Sequence, residues 1–142
     1  MSIYIVEPNK LIEVTAEKLK EYSSIKPPEG SEFWKTAHFK ELAPSDSEAF
    51  WYIRCASLLR KVRKSGPIGV NKLKKLYGGK NRGKKGKHKS AKAAGKIIRV
   101  ALQQLEEAKL LTRKEKVGRI CTSEGISLLE RTSYEILRQI NQ

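Results

Sequence analysis

Acidic residues are missing from the middle of the chain. Of the 142 residues, the fifty-seven between Glu48 and Glu106 include no Asp or Glu, yet they hold seventeen of the thirty Lys and Arg. The remainder has thirteen basic and fifteen acidic residues, so the net charge of +15 belongs to this central window, residues 49–105. A concentrated positive field attracts polyanions. The window therefore predicts a nucleic-acid partner. It does not predict a membrane surface, because the basic stretch lacks the apolar face of an interfacial helix.

Other features are scarce as well. The two cysteines, Cys55 and Cys121, stand alone in apolar contexts, which predicts small buried side chains in a reducing compartment. The two histidines have no zinc-ligand spacing, and no nucleotide-binding loop, carboxylate pair or nucleophile–base grouping is found. We therefore expect no enzyme activity, no metal, no cofactor and no small-molecule substrate. With no long apolar run and no signal-peptide pattern, we also expect a soluble intracellular protein.

Apolar residues recur at helical spacing along most of the chain. Asp46 or Ser45 is suited to cap a helix after Pro44, and Thr122 is suited to cap the last one. Two β-like pieces around "KEKVG" predict a hairpin at 110–122. The helices are predicted at about 8–22, 46–64, 70–76, 89–109 and 123–140.

Some apolar positions are predicted to form the core. In the second helix these are Trp51, Cys55, Leu58, Leu59 and Val62. In the last helix they are Ile126, Leu128, Leu129, Tyr134, Ile136 or Leu137, and Ile140. Phe33 and Trp34 are interpreted as core residues in preference to a platform for stacked bases.

The order of elements indicates the fold class. A helix pair followed by a β-hairpin is the layout of a winged helix-turn-helix. We predict a mainly α protein, with a winged helix-turn-helix core, additional N- and C-terminal helices and one β-hairpin wing, in a single domain over residues 1–142. About ten residues separate Gly79 from the next predicted helix, more than the usual three or four.

The predicted helix 89–109 has two opposite faces. With Lys92 at 0°, Lys96 falls at about 40° and Arg99 at about 340° on a helical wheel. Ile98, Ala101 and Leu105 lie on the other side. We therefore expect the basic stripe to face a phosphate backbone while the apolar stripe packs into the core.

A Lys-rich segment precedes this stripe. Residues 80–96 hold seven Lys and one Arg, which favours contacts with phosphate over recognition of base edges. Gly78, Gly79, Gly83 and Gly86 are expected to let the backbone approach a ligand closely. The same lysines are also compatible with a nuclear-import signal. The second helix has five basic residues without acidic partners: Arg54, Arg60, Lys61, Arg63 and Lys64. They are interpreted as a nucleic-acid contact, against the alternative of a solvated face.

Several motifs resemble a known family. They are "KELAPSDSEAFWYIRCASLLRKV" (40–62), "GPIGVNKLKKLYGGKNR" (66–82), "RVALQQLE" (99–106), "GRICTSEG" (118–125) and "LLER" (128–131). In this order they are similar to small-subunit ribosomal protein nineteen of eukaryotes and archaea. The similarity extends from about Leu11 to Gln142.

The resemblance implies a structural constituent of the cytoplasmic ribosome. It implies a winged-helix core with added helices, bound to ribosomal RNA in the head of the small subunit beside neighbouring ribosomal proteins. It also implies a part in maturation of the small-subunit precursor, with passage through the nucleus and nucleolus if the source is eukaryotic. By similarity Arg54, Arg60, Arg82 and Arg99 fall on the family's basic surface, and Trp51 and Ala56 in its core.

Pattern and resemblance together give one set of predicted RNA-binding residues. It comprises Arg54, Arg60, Lys61, Lys64, Lys72, Lys75, Lys80, Arg82, Lys84, Lys85, Lys87, Lys89, Lys92, Lys96 and Arg99.

Two alternatives stay open at this point. A winged-helix DNA-binding regulator would need a helix that reads bases, and the predicted stripe of Lys, Arg and Gln is poorly suited to that task. An additional role in protein interaction outside the ribosome would use the less charged first and last helices.

Overall fold

The computed structural model describes residues 2–37, 42–82 and 88–142. Two 3-10 turns occur at Ser2–Tyr4 and Ser31–Phe33. The α-helices are α1 (Pro8–Leu19), α2 (Ser47–Ser65), α3 (Val70–Leu76), α4 (Gly95–Glu107) and α5 (Ser123–Ile140). The strands are β1 (Gly79–Arg82), β2 (His88–Ala91), β3 (Leu111–Lys114) and β4 (Gly118–Cys121). The predicted mainly α class is confirmed.

Helix α2 lies at the centre of the core. Its five predicted core residues are each at most 1% exposed. They belong to one hydrophobic cluster with buried side chains of α1, α4 and α5, among them Leu11, Ile98 and Leu129. Both predicted caps are present: the Asp46 carboxylate accepts a hydrogen bond from the Ala49 amide, and the Thr122 hydroxyl accepts one from the Gly125 amide. These caps place the starts of α2 and α5 where the sequence predicts them.

The wing is the antiparallel hairpin β3–β4. Arg119 of β4 forms a two-way backbone bridge with Ile68, in the turn between α2 and α3, at 3.2 and 2.9 Å. The buried Arg119 side chain is paired with Glu106 near the end of α4. The hairpin is therefore fixed to both α2–α3 and α4, as the winged-helix prediction requires.

Gly118 is the first residue of β4, and its replacement is expected to reduce the stability of the fold. Its φ of +126° is rarely adopted by residues with a side chain, and an added Cβ would lie 2.5 Å from the Ile68 carbonyl. We expect Gly118→Ala to lower the free energy of unfolding by more than about 1 kcal/mol, measured by urea denaturation. Gly95→Ala is the matched control, because the added Cβ meets only the flexible Lys74 side chain. An equal loss of stability in both variants would contradict the conclusion that the fold requires glycine at position 118.

The predicted start of the fourth helix is wrong. Residues 79–82 and 88–91 pair as a second antiparallel hairpin, and α4 begins only at Gly95. The Ala93 amide donates to the Lys74 carbonyl at 2.9 Å, and the Ala94 amide donates to the Thr36 carbonyl at 2.7 Å. These long-range bonds hold the chain extended up to the helix. Consequently Lys89 lies in β2 and Lys92 in the connection, outside the helical stripe.

Gly78 has a structural role in this second hairpin. A Cβ on Gly78 would collide with the carbonyl of Ala91, the last residue of β2. The absence of a side chain therefore allows the end of α3 and the end of the hairpin to approach each other. This is a different role from the ligand approach that the sequence suggests for this glycine.

Some predicted core positions are exposed instead. Phe33 is 79% exposed, Tyr134 61% and Ile140 62%. Thr132 and Ser133 take inner positions of α5, where their hydroxyls donate to the carbonyls of Leu128 and Leu129. Helical spacing alone does not reveal that these hydroxyls can be satisfied within their own helix.

Both cysteines are free; Cys55 is buried as predicted, whereas Cys121 is only half-buried. Burial raises the pKa of Cys55 and of Cys121 to about 12. The Cys121 thiol also donates to the Leu59 carbonyl at 3.6 Å. Since the thiolate is the reactive form, these cysteines are poor nucleophiles in the folded protein.

Candidate nucleic-acid interface

The predicted RNA-binding residues differ in exposure. Six of them are exposed: Lys64, Lys72, Lys75, Lys92, Lys96 and Arg99. Arg54, Arg60 and Lys61, all on α2, are half-buried. The backbone places Lys80 and Arg82 in β1 and Lys89 in β2. Lys84, Lys85 and Lys87 lie outside the described residues.

The basic window is not neutralised by the ion pairs observed in the described ranges. These pairs are Lys18–Glu135, Lys20–Glu17 and Arg119–Glu106. All six partners lie outside residues 49–105. The positive charge predicted from the sequence therefore remains available to an external polyanion.

Arg54 lies at the junction of α1, α2 and α3, between two aromatic rings. Its guanidinium carbon lies 5.1 Å from the Phe50 ring centroid and 4.5 Å from that of Tyr77. The Tyr77 hydroxyl shares a hydrogen bond of 2.5 Å with the Ser57 hydroxyl, which fixes the second ring. The sequence predicts Arg54 as a nucleic-acid contact without indicating its surroundings, and the structure shows a guanidinium oriented by two rings.

Burial affects both groups at this junction. It lowers the pKa of the Arg54 guanidinium, and it raises the pKa of the Tyr77 phenol. An arginine remains protonated under physiological conditions even so. Arg54 is therefore a fixed positive charge in a partly apolar setting, where it interacts with an anion more strongly than an exposed lysine does.

A second basic group surrounds the beginning of α4. Lys74, Lys92 and Lys96 line one cavity there, together with Trp34. The Lys96 ammonium lies 4.4 Å from the centroid of the Trp34 ring. The predicted stripe is confirmed for Lys96 and Arg99, which are exposed on α4, opposite the buried Ile98 and Ala101.

Helix α3 connects the two groups. Lys74 reaches the cavity beside α4, and Tyr77, the C-terminal capping residue of α3, stacks on Arg54. Lys72 and Lys75 are exposed on the same helix. We call these basic residues of α2, α3 and the start of α4 the basic surface. They are Arg54, Arg60, Lys61, Lys64, Lys72, Lys74, Lys75, Lys92, Lys96 and Arg99.

Lys74 and Trp34 belong to the site, although neither is among the residues predicted from the sequence. Lys74 has exposed lysine neighbours and no distinguishing local signal. Trp34 is separated from α4 by about sixty residues of sequence, and long-range contacts such as the bond between the Ala94 amide and the Thr36 carbonyl bring the two together. An aromatic residue such as Trp34 is a candidate for stacking on a base, but its place in the sequence does not show that it lies beside α4.

Other kinds of site have little support in the described part of the chain. No group of three or more His, Cys, Asp or Glu residues there is placed to hold a metal ion. None of the helices described is long and apolar enough to cross a lipid bilayer.

Fold and charge together define a basic winged-helix protein. A family model described as Ribosomal protein S19e matches residues 2–139. The chain therefore belongs to the ribosomal protein S19e family, and the resemblance seen in the sequence is confirmed.

Individual relatives support the same assignment. Small ribosomal subunit protein eS19 of Haloarcula marismortui is 42% identical over 145 residues, covering 99% of this chain and 94% of the relative. The eS19 protein of Aeropyrum pernix is 44% identical over 138 residues, covering 95% of this chain and 89% of the relative. Drosophila melanogaster protein eS19A is 38% identical over 134 residues, covering 93% and 84%. The similarity thus spans almost the whole of each chain.

Proposed function

We propose that this chain binds small-subunit ribosomal RNA through the basic surface as a structural constituent of the small ribosomal subunit. Family membership supports the ribosomal role. The observation that supports RNA contact is the acid-free window, whose exposed Lys and Arg take no part in the ion pairs found among the described residues. Binding, and not catalysis, is the proposed activity, carried out by one domain over the whole chain.

The proposed binding mode is contact with phosphates. Exposed lysines dominate α3 and the start of α4, and lysine supplies a mobile point charge with little shape demand. The DNA-regulator alternative is not favoured, because the relatives are ribosomal proteins. The outer face of α4 also offers Lys96, Arg99 and Gln103, a poor set for reading base pairs.

The proposal extends to assembly. We place the protein in the head of the small subunit, where it supports maturation of the precursor, with nucleolar passage in a eukaryotic cell. Neighbouring ribosomal proteins are the proposed partners of the faces outside the basic surface. The exposed Tyr4, Ile5 and Tyr134 support this, because these apolar side chains gain from being covered.

The salt dependence of RNA binding tests the proposed function. We expect the logarithm of the affinity for small-subunit RNA to fall linearly with the logarithm of salt concentration, by roughly 0.7–0.9 per phosphate contact. Three or more contacts would give a slope steeper than about −2. Filter binding across a salt series provides the measurement. A flat salt dependence would overturn the proposal, as would failure of the protein to co-sediment with small subunits.

A further inference from the structure

A cavity of about 640 Å³ opens beside the start of α4. Its volume falls within the usual range for a ligand pocket. Small residues form much of its lining: Ala37, Ala91, Ala93, Ala94 and Gly95. The remainder is one aromatic ring, four lysines and Ile97. The cavity thus combines an apolar interior with a strongly basic edge.

The aromatic ring is Trp34, and its position is fixed from behind. Its ring lies edge-to-face against Trp51, with centroids 6.2 Å apart. The Trp51 indole N–H donates to Gln104 Oε1 at 2.8 Å, and the Gln104 amide donates to the Lys26 carbonyl at 2.8 Å. Trp34 therefore rests on an anchored side chain. An aromatic surface held in this way binds a planar partner without the cost of being ordered first.

The Lys96 ammonium lies over one face of the Trp34 ring, which shows that this electron-rich face is accessible to another group. It lies 4.4 Å from the ring centroid, and both residues line the cavity. Trp34 is half-buried, but Lys96 is exposed, so the ammonium is held weakly over the ring by a long flexible stem. The ammonium can therefore move aside to a nearby phosphate when a flat group takes its place on the ring.

The positive charge of the cavity lining favours a negatively charged ligand. Lys35, Lys74, Lys92 and Lys96 line the cavity, and no acidic residue is among the lining residues described. The first turn of α4 borders the same space, and its N-terminus lacks a side-chain cap, which adds a smaller positive contribution. The occupant that suits this cavity combines a flat apolar ring with a negative charge beside it.

We propose that this cavity holds one unpaired nucleotide of the bound RNA, with its base against Trp34 and its phosphate among Lys74, Lys92 and Lys96. The inference rests on the proposed function, since the RNA is held by the basic surface that continues along α3 and α4. A nucleotide within a helix cannot enter, because its base is paired and stacked. The basic surface thus binds phosphates generally, and the cavity adds a preference for single-stranded RNA.

Three RNA probes distinguish binding in the cavity from binding to the basic surface. The probes are a fluorescein-labelled single-stranded 12-nucleotide RNA, the same strand with several abasic positions, and a 12-base-pair duplex. All are measured by anisotropy at one fixed salt concentration, because salt changes every affinity. We expect the protein to bind the intact strand at least about fivefold more tightly than the abasic strand, as base–aromatic stacking predicts.

Substitutions at Trp34 test the stacking contact. Trp34→Leu should abolish the preference for the intact strand, and Trp34→Phe should retain most of it. Both variants should bind the duplex like the unmodified protein. Because Trp34 also supports Trp51, thermal melting checks that each variant is folded. Ala94→Leu provides a second test, since it enlarges a residue that lines the cavity and leaves Trp34 and every charge in place; it should also remove the preference.

The outcomes distinguish the two proposals. Salt-dependent binding to the duplex without any preference for the intact strand would overturn the nucleotide site and leave the proposed function standing. Failure to bind any of the three RNAs would overturn both. If adenosine monophosphate alone saturates the protein in a Trp34-dependent way while the strand preference is absent, the cavity is a free-nucleotide site and the assignment to RNA is wrong.

Discussion

Replacing Trp51 with alanine is expected to lower the free energy of unfolding by about 3–5 kcal/mol. Trp51 is 1% exposed and is among the largest side chains of the core. The substitution leaves a cavity at the contact of α2 with Trp34, and it leaves Gln104 Oε1 without the indole N–H at 2.8 Å. Both losses act in the same direction, because an empty cavity and a lost hydrogen bond are each unfavourable. The cavity is the larger loss, since Gln104 Oε1 still accepts a hydrogen bond from the Lys26 amide at 3.2 Å.

Urea denaturation of matched variants measures this effect. Phe33→Ala is the control, since it also removes an aromatic ring, but from a position that is 79% exposed. We expect it to change the free energy of unfolding by at most about 0.5 kcal/mol. Trp51→Phe, which keeps a ring but loses the N–H donor, should lie between the two. A loss below about 1 kcal/mol for Trp51→Ala would show that Trp51 does not anchor the core.

The core of α2 was predictable from the sequence because two independent signals agree. Apolar residues recur at helical spacing from Trp51 to Val62, and Asp46 follows Pro44 as a cap for the first turn. Both signals are local and act within a few residues of the helix itself. The same holds for α5, where Thr122 caps the helix that starts at Ser123.

The second hairpin could not be predicted in the same way. The segment 88–94 has no alternation of apolar and polar residues, and its Ala and Lys content favours a helix. Its extended form depends on β1 and on the carbonyls of Lys74 and Thr36, which are distant in sequence. Tertiary hydrogen bonds here override local propensity.

The candidate site was predictable in charge but not in geometry. Counting acidic residues locates the basic window without any structural information. It does not show that Arg54 is stacked between Phe50 and Tyr77, or that Trp34 lies beside Lys96. Charge is summed over a segment, whereas a binding cavity depends on which segments meet.

Reversing one charge on α4 is expected to impair RNA binding without unfolding the protein. Arg99 is exposed, on the side of α4 opposite the buried Ala101. Arg99→Glu removes a cation from the basic surface and adds an anion that repels phosphate. We expect the affinity for small-subunit RNA to fall about tenfold or more, as the loss of a charge-assisted contact predicts. The salt slope should also become shallower by roughly 0.7–0.9.

A matched charge reversal elsewhere isolates the effect of position. Arg138→Glu makes the same change of residue at an exposed site on α5, outside the acid-free window. If binding depended on net charge alone, the two variants would lose affinity equally. We expect Arg138→Glu to retain nearly full affinity and to co-sediment with small subunits, while Arg99→Glu stays in the free fraction. Melting temperatures should differ by less than about 3 °C, because both side chains are solvated. If Arg99→Glu melts well below Arg138→Glu, Arg99 supports the fold and its place in the basic surface is refuted.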